Sequence, residues 1–316
     1  MSPRILGFLA LFLAPLAAGC GISNGLAEPS SRVRVVVTTS IIADLVKNVG
    51  GDHVHVTTLM PPGIDPHRYT PRPSDATALA NSDVVFFNGL HLEGKMVDIL
   101  ERANLRGRTP VAVSSRLNPE KDLRHAEAGA DGPHDPHIWF DVKLWTKCID
   151  PVVETLCEVD PAHARDFRRN ADEYRAKLVE LDRELHATIA TLPKERRILV
   201  TSHDAFHYFG AAYGFEVHGL QGISTASEVG IEDRRKLAAF LAQKDIPAVF
   251  GETSVPTKGL QSVLDSARAS TGKTVTLIGG DDALYSDALG EEGTPGETYI
   301  GMCRHNVNII VKALKP

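Results

Sequence analysis

Val33–Thr38 is a β-branched run, and Ile41–Val49 behind it carries apolar residues at helical spacing. That alternation repeats down the chain. Extended segments are predicted at Val54–Leu59, Asp83–Asn88 and Pro110–Ser114, with helices at Ser74–Ala80, opened by a capping serine, and at Met96–Ala103. A longer helix is expected from about Val142 to Glu158. A second set of strands is read at Arg197–Thr201, Phe215–Leu220, Pro247–Gly251 and Thr274–Gly279. Helices are predicted between and after them at Ala205–Tyr213, Asp233–Gln243, Lys258–Ser270 and Tyr299–Leu314. Strands alternating with helices at this spacing mean α/β units with mainly parallel sheets.

Between the two sets, Phe167, Ala171, Tyr174, Leu178, Leu181, Leu185, Ile189 and Leu192 recur at steps of three and four, one apolar stripe on a helix. The segment begins after Asp160-Pro161 and stops before Pro193. Some 30 helical residues span about 45 Å. Dimerisation through this stripe is the weaker reading, since it covers too few heptads; a stiff helix joining two lobes, in a monomer, is expected. The expected fold is therefore α/β, two Rossmann-like lobes, each a mainly parallel four-stranded sheet with flanking helices. The lobes fall at residues 32–160 and 194–316, with the linking helix at 161–193.

The N-terminus carries different information. Arg4 precedes an apolar run from Ile5 to Leu13, and Leu16-Ala17-Ala18-Gly19-Cys20 follows. A charged start, a short apolar core and small residues before a cut form an export signal, too short for a spanning helix with ordinary flanks; an uncleaved membrane anchor is the alternative. The string ending in Cys20 resembles a bacterial lipoprotein cleavage site, with Ala17 where such sites usually hold a large aliphatic residue. The resemblance implies removal of residues 1–19 and lipidation of Cys20, with residues 20–31 as a flexible tether. An exported protein, in the periplasm or on the outer face of the cell membrane, is expected.

Net charge is −6, and −7 once residues 1–19 with their single charge are removed. A mildly acidic chain without a basic cluster argues against nucleic acid as a partner. Cys148, Cys157 and Cys303 remain after Cys20. On one helix, Cys148 and Cys157 would stand about 13 Å apart along the axis, beyond disulfide reach, so small core residues are expected.

The candidate chemistry lies in four loop-like strings. Gly63-Ile64-Asp65-Pro66-His67, Asp135-Pro136-His137-Ile138-Trp139 and Thr201-Ser202-His203-Asp204 each supply an imidazole, and Tyr285-Ser286-Asp287-Ala288 supplies a carboxylate. Three imidazoles and one carboxylate complete a four-coordinate shell for a borderline divalent ion such as zinc, with manganese second. Ligands of open α/β sheets collect at the carboxyl ends of strands. Two candidates would come from each half, placing the ion between lobes. Asp65, Asp141 and Asp204, each close to a candidate ligand, are considered as orienting partners, against a plainer role in turns or caps. His207, one helical turn after His203 by the predicted helix, would share its face and could be a surplus ligand. Of the 13 histidines, His53, His55, His91, His163, His186, His218 and His305 are read as ordinary structural or surface groups.

Taken together and in order, these strings resemble the metal-binding lipoproteins of bacterial zinc and manganese ABC importers, the TroA/ZnuA-like solute-binding family. Pro73-Ser74-Asp75, Asn88-Gly89, Glu93, His137-Ile138-Trp139-Phe140-Asp141, Asn170 and Tyr174, and Tyr208-Phe209 extend the likeness from about Val33 to the C-terminus. The resemblance implies two lobes linked by a long helix, with His67, His137, His203 and Asp287 around a transported ion. It also implies an ABC permease and its ATPase as partners, and no enzymatic activity. Manganese-type relatives commonly have glutamate where His203 stands. The Glu120–Pro136 segment, with His125 and His134, is a modest version of the histidine-rich loop of zinc-type relatives. The competing reading is a secreted zinc-dependent hydrolase with Glu252 as general base. It would need an open coordination position, and the chain has no His-Glu-x-x-His string.

Overall fold

The computed structural model describes residues 32–102, 107–126 and 132–315; the expected leader, Cys20 and the expected tether lie outside them. The chain begins with β1 (Val33–Thr39), α1 (Ser40–Gly50), β2 (Val54–Met60), α2 (Pro73–Asn81), β3 (Val84–Phe87), α3 (Val97–Arg102) and the two-residue β4 (Val111–Ala112). Helices α4 (Val142–Lys147), α5 (Ile149–Val159) and α6 (Ala164–Ala190) follow. The second lobe is β5 (Ile198–His203), α7 (His207–Tyr213), β6 (Glu216–Gln221), α8 (Ile231–Gln243), β7 (Ala248–Phe250), α9 (Lys258–Thr271), β8 (Thr276–Ile278) and α10 (Tyr299–Leu314).

Each lobe holds a four-stranded, wholly parallel sheet, and the orders match: β2-β1-β3-β4 and β6-β5-β7-β8. The chain direction across each sheet reverses beside its first strand, where a crevice opens at the strand ends. The sheets are covered by helices, so β1 and β3 read as near-continuous apolar runs, as parallel strands buried on both faces do.

The long helix α6 is 27 residues, roughly 40 Å. All seven helical members of the predicted stripe are buried, and Leu192 just beyond is too. Its apolar face packs into one cluster with α1, α4, α5 and α10, which makes it a shared spine for both lobes. No helix among the described residues is long and apolar enough to cross a membrane.

The expected helix Val142–Glu158 is broken at Cys148. Pro151 is the cause: it has no N–H for the Lys147 carbonyl, and its ring crowds that same group. Cys148, Cys157 and Cys303 are free thiols. The predicted fourth strand shrinks to two residues because Val113–Arg116 turns into a 3-10 segment.

Candidate metal centre

Asp65-Pro66-His67 and Asp135-Pro136-His137 fold alike. In each, the His N–H donates to Oδ1 of the aspartate two residues earlier, at 2.9 Å in both turns. Such an aspartate closes a local turn, and the intervening proline fixes the backbone. His67 follows β2 and His137 lies beyond β4, so both reach the centre on loops. His203 is the last residue of β5, and Asp287 sits on the loop after β8.

The four side chains converge. Nε2 of His67 and of His137 are 3.3 Å apart; Asp287 Oδ1 is 3.4 Å from His137 Nε2, and Oδ2 is 3.3 Å from His203 Nε2. A tetrahedral ion with bonds of about 2.0–2.1 Å separates its ligand atoms by about 3.3 Å. All four donors lie within 4.8 Å of one another, and among the described residues this is the one cluster of three or more such groups able to share an ion. His137, His203 and Asp287 have no exposure and His67 has 4%. Asp287 Oδ1 and His203 Nε2 are buried without a hydrogen-bond partner. Unsatisfied donors and acceptors are costly in a dry interior, and a cation at their midpoint satisfies both. The residues therefore fit a divalent metal.

Two carboxylates hold the rings. Asp135 Oδ1 lies 2.7 Å from His137 Nδ1. Glu252 Oε2 stands 2.5 Å from His203 Nδ1, a close pairing that lies off the hydrogen-bond direction, while Oε1 accepts the His203 N–H at 2.9 Å. A carboxylate on Nδ1 fixes the ring and leaves Nε2 for the ion. Burial alone pushes both imidazoles down. Asp135 and Asp287 override it at His137, and Glu252 and Asp287 override it at His203, so both rise. His67 has no carboxylate on its ring among the described residues, and burial takes it down to about 3. Burial works against the Asp287 anion too, but His203 and His137 hold it well below the usual carboxylate range.

Of the two roles considered for Asp65, Asp141 and Asp204, the structure shows the one in turns and caps. Asp65 holds the His67 backbone and accepts the Thr225 hydroxyl at 2.5 Å, tying one lobe to the other. Asp141 caps α4 by accepting from Lys143 and Leu144 N–H, and Asp204 accepts the Gly219 N–H. Their turn and cap roles are the observed ones. Asp135 and Glu252 do the orienting. The repeated Asp-Pro-His tripeptide pointed to Asp135. Glu252 stood out only as the general base of the hydrolase reading; its role beside His203 had no local signal, because only the β5–β7 pairing brings the two together.

His207 also departs from expectation. It opens α7 whereas His203 closes β5, so they share no helical face. Its ring nitrogens stand 3.7 Å from Asp135 Oδ2 and 3.6 Å from Asp204 Oδ1, outside the four-residue cluster.

A buried network supports the His137 loop. The Thr38 hydroxyl and the Asn88 N–H both donate to Glu93 Oε1, at 2.9 and 2.5 Å. Asn88 Nδ2 then donates to the Pro136 carbonyl at 3.0 Å. Further ties cross between lobes: Trp139 Nε1 donates to the Ser286 carbonyl at 2.9 Å, and the Leu289 N–H to Ser40 Oγ at 2.9 Å.

Residues 35–313 match the family model described as zinc-uptake complex component A, periplasmic (ZnuA). The chain is 45% identical over 305 residues to the manganese-binding lipoprotein MntA of Bacillus subtilis (strain 168), covering 96% of this chain and 97% of that protein. It is 46% identical over 289 residues to the zinc-binding protein TroA of Treponema pallidum (strain Nichols), covering 91% of each. The solved structure of the periplasmic zinc-binding TroA from Treponema pallidum superimposes with a TM-score of 0.84 at 44% identity, covering 90% of this chain and all of that one. The chain belongs to the ZnuA family of metal-binding components of ABC importers, which are solute-binding proteins and not enzymes.

Proposed function

We propose that this chain captures one divalent ion, zinc in preference to manganese, with His67, His137, His203 and Asp287, and delivers it to the permease and ATPase of an ABC importer. The observation that carries the reading is the enclosed three-imidazole, one-carboxylate cluster with unsatisfied donor atoms facing its centre. Two relatives of nearly equal similarity are named for different metals, so the metal has to be argued from the donors. Zinc stands well above manganese on a given nitrogen-rich site, and His203 contributes nitrogen rather than oxygen. Asp287 offers one oxygen toward each of two histidines, which suits four or five coordination. That leaves little room for the reactive water a hydrolase requires, and Glu252 is engaged with His203 instead of free to act as base.

The same proposal includes a leader at residues 1–19, lipidation at Cys20 and a tether over 20–31. Lobes at 32–160 and 194–316 flank the linking segment 161–193, in a monomeric carrier held at the outer face of the membrane or in the periplasm. The test is chelator-competition titration of the mature chain with zinc and manganese. One zinc per chain is expected, with manganese weaker. His203→Ala should weaken zinc by orders of magnitude and Asp287→Ala by less, since water replaces a carboxylate oxygen more readily than an imidazole. His207→Ala should change little. Equal affinity for both metals, or unchanged zinc affinity in His203→Ala, overturns the assignment.

A further inference from the structure

His137, His203 and Asp287 have no exposure and His67 has 4%, so the cluster comes nearest to solvent at His67. At that point lies a cavity of about 10 Å³ lined by His67, Leu90, His91, His134, Pro136 and Ile223, among others. That is room for about one water-sized species. Two of its walls are histidines outside the four-residue cluster.

His134 is half-buried, and its Nδ1 is enclosed without a hydrogen-bond partner among the described residues. His125, exposed, stacks on it with ring centroids 5.4 Å apart. The two are opposed in the stem of a loop closed by Ala126 N–H to the Pro133 carbonyl and Asp135 N–H to the Arg124 carbonyl, both 3.0 Å. His91 faces the cavity from the other side, at φ 62 and directly after Leu90 at φ 57. Two successive side-chain-bearing residues in the left-handed region are strained, at order 1–3 kcal/mol each, and persist only where their surroundings enforce them. The opposite loop is shaped to receive the ring: a Cβ at Gly132 would stand 2.8 Å from His91 Cδ2. Imidazoles thus line the way from solvent to His67.

We propose that His91 and His134 form a transit site that binds the divalent ion on its way to and from the four-ligand centre. The proposal rests on the reading of that centre as a zinc site. An ion crossing a gap one water wide sheds hydration before it gains its final ligands. Imidazoles in the gap replace the lost water and lower the barrier. Neither residue touches the ion in its resting position, so they change the barrier and not the final well. Loading and release must then slow by the same factor when they are removed, with Kd unchanged.

The experiment is stopped-flow zinc loading and chelator-driven release on the mature chain, beside equilibrium titration. The variants are His134→Gln, which keeps bulk, His91→Asn, which tolerates the left-handed backbone, and their combination. The double variant is expected to load and release roughly tenfold more slowly, with stoichiometry and Kd as in the wild type. The single variants, each slowed less, carry the test if the double variant fails to fold. Rates equal to or faster than wild type overturn the transit site, the latter showing the histidines to be a plug. A changed Kd overturns it as well, by making them props of the resting centre. A wild-type chain that binds no zinc overturns the four-ligand reading and the transit site together, whereas normal affinity with unchanged variant rates overturns the transit site alone.

Discussion

The two lobes share one strand order and present their ligands in different ways. In the C-terminal lobe His203 is the end of a central strand, and Glu252 comes off the neighbouring strand to meet it. The sheet itself sets that ligand. In the N-terminal lobe His67 and His137 ride on loops, and each loop carries its own props. These are an aspartate turn under each histidine, Gly94 pressed against the His67 carbonyl, and Asn88 bonded to the Pro136 carbonyl. The same topology thus sets His203 by the sheet, whereas His67 and His137, like Asp287 on the loop after β8, depend on replaceable local bonds.

Outside the four clustered side chains, the largest expected effect comes from removing the carboxylates that hold the rings. Asp135→Asn and Glu252→Gln should each lower zinc affinity by about 10–100-fold, the usual cost of losing a partner that orients a metal-bound histidine. Asp65→Asn should cost much less, because an asparagine Oδ1 still accepts the His67 N–H and Asp65 never touches the ring. Competition titration of the three variants decides the matter. An Asp65→Asn loss as large as that of Asp135→Asn would show that the two Asp-Pro-His turns are equivalent and that backbone placement alone sets the ligands.

A second test compares the stiffness of the two halves. A Cβ at Gly94 would lie 2.5 Å from the His67 carbonyl oxygen; one at Gly219 would lie 2.6 Å from the His203 carbonyl carbon. The β5–β6 ladder cannot yield at Gly219, so Gly219→Ala should cost stability, about 1–3 kcal/mol as overpacking does. Gly94 lies at φ 47 against the His67 backbone, so Gly94→Ala strains its own turn, should displace His67 and should lose more zinc affinity per degree of melting temperature. Thermal unfolding without metal, set beside zinc affinity, reads both quantities. Proportional losses in the two variants would mean the loops are no softer than the strand end.

The same contrast explains what the sequence could reveal. Sheets and spine were legible because they rest on local signals, β-branched runs and the Phe167–Leu192 stripe, whereas the four clustered side chains were picked out by their strings taken together and in order. The break at Cys148 was legible in principle, since Pro151 forbids the bond that a continuous helix needs. Glu252 was not. It lies 49 positions from His203 and becomes its partner only through strand adjacency, a non-local fact no window of sequence contains. His207 was misplaced because the helix starts two residues later than its apolar pattern suggests, which turns an expected shared face into a strand–turn–helix junction.

The smallest expected effect concerns the frame both lobes share. Asp44 on α1 accepts from the Tyr174 hydroxyl on the spine helix at 3.1 Å and from Asn48 at 3.2 Å, near the start of α10. Burial pushes its carboxyl up from 3.8 to about 6, against the pull of Tyr174 and the Tyr299 backbone. A raised folded pKa means the native state holds the proton more tightly than the unfolded chain does. Stability then falls as pH rises from about 4 through about 6, and the cost stays constant above that. Asp44→Asn removes the ionisation and keeps an acceptor for Tyr174. Because Asp44 keeps part of its surface in water, screening leaves a gain of about 1 kcal/mol at pH 7–8, vanishing near pH 4. Denaturant melts of the metal-free chain across that range measure it, and zinc affinity should not move, because the residue props neither set of ligands. A variant equally stabilised at pH 4 and pH 8 would show that packing, not charge, is what Asp44 contributes to the spine.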